Sequence, residues 1–261
     1  MPTLTPYQLS PARRAFELAR PWILFAAFAG ASEARIWVLA APLAAATFLA
    51  AFVQLHDAMH AALGLSKRTN ELVITLSGLL LLKSGHGLRA THLRHHGRCL
   101  QDDDPEGKVL SWPLWRVIFG GPFHILGNRS LAMRLAPRTA REQLGEGAIN
   151  VLTAAGAILI QLRTGNPAGL IYWAVVVAFS STLALWAAYI PHKLAEDHPL
   201  IRMAAFASRA WTPVINSFAY HELHHRHPKV PTALLPALAR SADGAPTNAD
   251  SERPERQRCA R

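Results

Sequence analysis

The run "IWVLAAPLAAATFLAAFVQL", Ile36 to Leu55, carries no charge and has the roughly 20 residues that a helix needs to cross a bilayer. Within hydrocarbon the backbone must satisfy its own hydrogen bonds, so an isolated run of this kind is read as a helix. A second uncharged run, Ala168 to Ile190, makes the same demand. Each has an apolar neighbour upstream. Trp22 to Ala31 precedes the first, with Glu33 and Arg35 between them, and Ala148 to Leu162 precedes the second across the turn signal "RTGNP". Two helical hairpins, and hence four transmembrane helices, are expected. The run Leu72 to Leu82 is too short to span and is expected to be re-entrant or interfacial. Leu200 to Tyr220 mixes apolar residues with Arg202 and Arg209, as a helix lying at the interface would.

Only 17% of the residues are charged, against roughly 25% in a typical soluble domain. Mean hydropathy is nevertheless only +0.13, because basic segments separate the apolar runs. The net charge of +10 has no interleaved aromatics to form a nucleic-acid platform, so anionic lipid is the expected attractor and no nucleic-acid partner is. Basic residues crowd before the first hairpin, through the middle of the chain and after the last run, while the hairpin tips hold only Arg35 and Arg163. The positive-inside rule then places both termini and the middle segment in the cytoplasm. The N-terminal segment lacks the apolar core of a signal peptide, so the internal runs are expected to anchor the chain. Cys99 and Cys259 form no CxxC pair, which argues against thiolate zinc and cysteine-held iron–sulfur sites. Residues 1–240 read as one membrane domain and 241–261 as a disordered polar tail.

Histidines are grouped on this map. "HDAMH" holds His56 and His60, "HLRHH" holds His92, His95 and His96, and "HELHH" holds His221, His224 and His225. The topology puts all three on one membrane face. Residues i and i+4 share a helix face, so His56 and His60 can aim at one point. In HxxHH the i and i+3 pair also share a face, while the adjacent histidine diverges and could serve another ion. Eight imidazoles exceed the three that a catalytic zinc takes, and they suit two ions with open positions. Imidazole accepts several metals. A pair of irons activating O₂ is the favoured reading.

These words, with "DDDPEG" after the second box and "HELHHRHPKVP" as the third, resemble the membrane fatty acid desaturase superfamily from about Gln54 to Pro236. The resemblance implies an all-α integral membrane fold of four spans under a cytosolic histidine-rich cap. It also implies a di-iron centre held by the eight box histidines. A ninth ligand, His192 in "YIPHKL", is implied as well, and the "PH" there is similar to the carotenoid ketolase branch. His86, His124, His198 and His227 are expected to be surface or supporting groups. Asp57 and Glu222 sit inside boxes, where a carboxylate could orient an imidazole or merely cap a helix. The run Asp102 to Glu106 could cap a helix or pair with arginines. Of its members Asp104 is the most interesting, though not as a ligand.

Chemistry of this kind takes O₂, two electrons and two protons, and attacks a C–H bond, leaving either a hydroxyl group or a double bond. The expected substrate is a lipid drawn from the bilayer, an acyl chain or a carotenoid. No nucleotide, haem or iron–sulfur motif is visible, so a separate electron donor (a ferredoxin, rubredoxin or cytochrome) is expected. The basic stretch Arg89 to Arg98 would suit an acidic carrier. The expected location is a bacterial inner membrane. A metal transporter would need ionisable residues in the spans, and Ala168 to Ile190 has none. A lipid-surface binding protein would leave the grouped histidines without a purpose.

Overall fold

The computed structural model describes residues 7–194, 198–207 and 214–241. The expected tail lies outside them from residue 242 onward, as does Arg209. Among the described residues every regular element is helical.

Helix α1, Pro11–Glu33, starts at Ser10, whose hydroxyl accepts the Arg13 N–H. It turns at residues 34–36, where Arg35 adopts a left-handed φ of 58°, into α2, Trp37–Met59. That is the expected first hairpin. A buried polar clasp fixes it. Gln54 donates from Nε2 to the carbonyls of Glu17 and Leu18 at 3.0 and 2.9 Å, and its Oε1 accepts the Ser77 hydroxyl at 2.7 Å. One amide thus ties α1 and α2 to α3, Lys67–Leu80.

Among the described residues, three helical stretches are long and apolar enough to cross a membrane: Trp37–Met59, Pro137–Thr164 and Ala168–Lys193. Of the four expected spans, α1 is the one that does not qualify. It has 23 residues, but Arg13, Arg14, Glu17 and Arg20 charge its first half. The other two stretches form the second hairpin as α6, Ala140–Thr164, and α7, Ala168–Ser181, around a left-handed Gly165. Beyond α7 the same stretch continues through a π-helical turn, Ala184–Tyr189, into the short α8, Ile190–Lys193. Large apolar side chains such as Val38, Val151, Leu152 and Leu162 point outward, which suits lipid and not water.

At 14 residues, α3 is about 21 Å long and cannot cross ~30 Å of hydrocarbon. The chain turns back at residues 81–84 into α4, Gly85–Arg98. This return needs Gly85, because a Cβ there would run into the Ile74 carbonyl. The Tyr172 hydroxyl of α7 donates to the Leu80 carbonyl at 2.7 Å, so the turn is set inside the bundle. The middle segment is largely helical. It holds α4 and α5, Leu114–Leu135, whose Gly121 lets it press against the Ser181 carbonyl at the end of α7. The interfacial stretch contributes α9, Pro199–Ala207, with Leu200, Met203 and Phe206 exposed, and α10, Val214–Ala219. The third box forms α11, His221–Arg226, and α12 is Leu235–Ala239.

His86 is a structural tie, not a surface residue. Its buried ring bridges Glu146 of α6 at 2.7 Å and Glu71 of α3 at 3.0 Å. Arg89 grips Glu71 from the same helix at 2.7 and 3.0 Å. Burial works against the imidazolium, but the hydrogen bond and charge of Glu146, with help from Glu71, raise His86 above its ordinary 6.5. A raised folded-state value stabilises fully below the unfolded pKa and is lost as pH climbs through the folded one. Thermal stability is therefore expected to decline as pH rises above about 6.5, and His86→Gln should flatten that slope in melting curves recorded across pH. Gly85→Ala should cost about 1–3 kcal/mol through overpacking, read as a lowered melting temperature.

Candidate metal centre

The sequence sets each histidine at the end of an element. His56 and His60 close α2, His192 lies in α8, and the remaining boxes occupy the second half of α4 and all of α11. The return of α4 beside α2 brings His92 Nε2 to 3.0 Å from His60 Nε2. His56, His60, His92 and His224 place one ligand atom each within 4.8 Å of one another. A second group contains His95, His192 and His225 on the same criterion, joined by Cys99. His221 belongs with it, its Nε2 lying 2.9 Å from that of His192 and 3.2 Å from that of His225. His96 stands between the groups, its Nε2 3.2 Å from that of His224 and its ring stacked on His225 at 4.2 Å. All nine histidines singled out in the sequence meet here.

The pattern within the second box differs from the expectation. His92 and His95 do share a face, but they go to different groups and His96 takes the middle. The reason is position: α4 runs between α2 on one side and α8 and α11 on the other, so successive turns meet different partners.

Four Nε2 atoms form a closed circuit: His192 to His221 at 2.9 Å, His221 to His225 at 3.2 Å, His225 to His95 at 3.2 Å and His95 to His192 at 3.3 Å. An imidazole Nε2 carries either one hydrogen or one lone pair, so it makes one directed bond. Protons alone cannot satisfy a nitrogen with two such neighbours. One cation receiving four lone pairs can, and nitrogens bound to an ion at 2.0–2.1 Å lie ~3–3.4 Å apart. Burial pulls His60, His92, His96, His221, His224 and His225 below their ordinary value, and neighbouring imidazoles add to this. Neutral rings are the form that ligates. The donor set fits a metal centre.

Carboxylates orient two of these rings. The fully buried Asp104 accepts His95 Nδ1 at 2.9 Å, together with the N–H groups of Leu100 at 2.8 Å and Glu106 at 2.9 Å. Burial opposes its charge, yet these donors hold its carboxyl below the ordinary range. Glu106 meets His92 Nδ1 at 3.1 Å. Fixing Nδ1 as the protonated nitrogen leaves the Nε2 lone pair facing the centre. Asp103 pairs with Arg94 and Arg98, as the arginine alternative for this run expected.

Asp57 orients no box imidazole. It lies 3.9 Å from His56 Nδ1, beyond hydrogen-bond reach, and instead accepts the N–H and hydroxyl of Thr232. Adjacent residues on a helix diverge, so with His56 turned to the centre Asp57 faces the segment after the third box and pins it to α2. Glu222 is half-buried in α11. His124 accepts from Asn128 at 3.1 Å and lines the cavity beside the centre, while His198 caps α9 through Leu200 N–H at 3.2 Å. His227 closes α11. Two neighbours of the centre were not expected there from the sequence. Cys99 stands four residues after His95 and directly follows the last residue of α4, a spacing that was legible. Glu106 follows His92 by 14 residues, too far for any helical rule.

A family model described as Fatty acid desaturase matches residues 34–253. The chain belongs to the fatty acid desaturase family. The match is wider at both ends than the histidine boxes and takes in all nine histidines. With three helical stretches able to cross a bilayer, membership makes this an integral membrane protein. No curated protein matches it. No solved structure does either.

Asp104→Asn should leave helix content unchanged by circular dichroism while weakening metal affinity about 10- to 100-fold in equilibrium titration, because His95 would lose the partner that sets its tautomer.

Proposed function

We propose that this member of the desaturase family is an O₂-dependent di-iron oxidoreductase that desaturates or hydroxylates a lipid acyl chain. The observation that carries the reading is the pair of adjoining imidazole groups at one end of a bundle with lipid-facing walls. His56, His60, His92 and His224, with His96 at the boundary, would hold one iron. His95, His192, His221 and His225 would hold the other. When bound, the irons supply the activation of dioxygen that an unactivated C–H bond requires.

The chain's own groups do the rest. Asp104 and Glu106 keep the Nδ1 protons of His95 and His92 in place. A cavity of about 140 Å³ opens on His56, His92 and His221, walled by Phe52, Leu183 and Trp186. Such a wall excludes water and receives methylene groups, holding a carbon beside the histidines. Electrons would come from a separate ferredoxin, rubredoxin or cytochrome. The cytoplasmic placement of the boxes, from the basic-residue distribution, would put the centre within that donor's reach.

Metal analysis of the purified protein should give about two irons per chain, the number that two groups of ligands imply, and His95→Ala should lower it. One zinc per chain, or no metal, would overturn the reading. Profiling lipids and pigments of carotene-producing cells with and without the expressed chain should show altered acyl chains, with the His95→Ala chain as the inactive control. Changed pigments alone would move the substrate to a carotenoid.

A further inference from the structure

The cavity at the histidines is not alone. A second one, of about 270 Å³, lies against it, and the two share Lys83, Leu88, Thr91 and Asn128 as a common wall. The first has the histidines and Glu106 among its polar lining, and the second has Arg129, Gln143 and Asn150, with Met133 and Trp173 as apolar surface.

Lys83 occupies the turn between α3 and α4, just after the end of α3 that Ser77–Gln54 and Tyr172–Leu80 hydrogen bonds fix against the bundle. Its side chain is half-buried, and holding an ammonium even partly out of water without a partner is costly. Among the described residues no carboxylate pairs with it. The buried carboxylate of that turn's neighbourhood, Glu146, is already committed to Ser84 at 2.6 Å and His86 at 2.7 Å. Asn150 gives a second, independent sign. It is nine-tenths buried on α6, and among the described residues its Oδ1 has no hydrogen-bond partner. A buried acceptor and a half-buried cation lining one cavity both lack what a polar ligand would bring.

We propose that the second cavity takes the acidic end of the substrate. Lys83, supported by Arg129, would bind the carboxylate or phosphate of a single-chain amphiphile, Asn150 would accept a hydroxyl or protonated oxygen of the same head, and the hydrocarbon would run past Leu88 and Thr91 into the histidine-lined cavity. This rests on the reading of that centre as an oxidation site and names its substrate class. The substrate is then an acid-headed chain and not a hydrocarbon such as a carotene, and its head is held inside the protein.

The test is equilibrium binding of tritiated palmitate to the full-length, iron-loaded protein in nanodiscs, with hexadecanol, 1-palmitoyl lysophosphatidate and β-carotene as competitors. Lys83→Met should weaken palmitate or lysophosphatidate binding about tenfold, the loss of one charge-assisted hydrogen bond. Hexadecanol binding should stay within about twofold of the native value and thereby report an intact fold. Lys83→Arg should retain the acid. Whichever acid depends on Lys83 identifies the source, free carboxylate or phospholipid head. Equal retention of both acids by Lys83→Met, or β-carotene displacing palmitate as well as palmitate itself does, would overturn the proposal. Iron counted on the same samples keeps the two readings apart: Lys83-dependent binding without iron would remove the oxidase reading and leave the head-group site standing.

Discussion

Four imidazoles whose inward-facing Nε2 atoms form a ring at 2.9–3.3 Å have no comfortable arrangement of protons, and five more histidines stand beside them. Everything around them can be understood as holding that arrangement for a cation to complete. The cost of collecting so many buried polar groups without water is large, and it falls on the elements that carry them. This is why the histidines sit on helices anchored by other means and not on free loops.

The anchors are of two kinds. Apolar packing around Phe48, Leu55 and Ile74 sets α2 against α3 and α7. Buried polar ties then remove the remaining freedom. Gln54 joins three helices, His86 and Glu146 join α4 to α6, and Asp57 fastens the chain after the third box to the helix that bears the first. Each tie engages one group with partners on separate elements, so it specifies relative position where greasy surfaces alone would slide.

Much of this was legible in the residues. The hairpins followed from uncharged runs of spanning length, and the meeting of boxes followed from their order along the spans. Histidine spacing fitted because helical period is a local property. What could not be read was set by neighbours. The split of His92 and His95 between two groups depends on α4 passing between other helices. The helicity of α5 was hidden by Gly120, Gly121 and Pro122, which look like a break until Gly121 is seen to meet the Ser181 carbonyl. The charged start of α1 was visible, yet the apolar half drew the expectation of a fourth span. Asp57 was undecidable because its partner, Thr232, lies 175 residues away.

The π-helical turn at Ala184–Tyr189 adds a residue to the last part of its span, three positions before His192. A helix advances about 100° per residue, so this widened turn sets the azimuth at which everything beyond it leaves the membrane. With the regular winding restored, the same amino acids would still reach the far side of the lipid, but His192 would be rotated off the gathering of nitrogens. The extra residue acts as a dial: it separates how far the helix travels from which way its end looks.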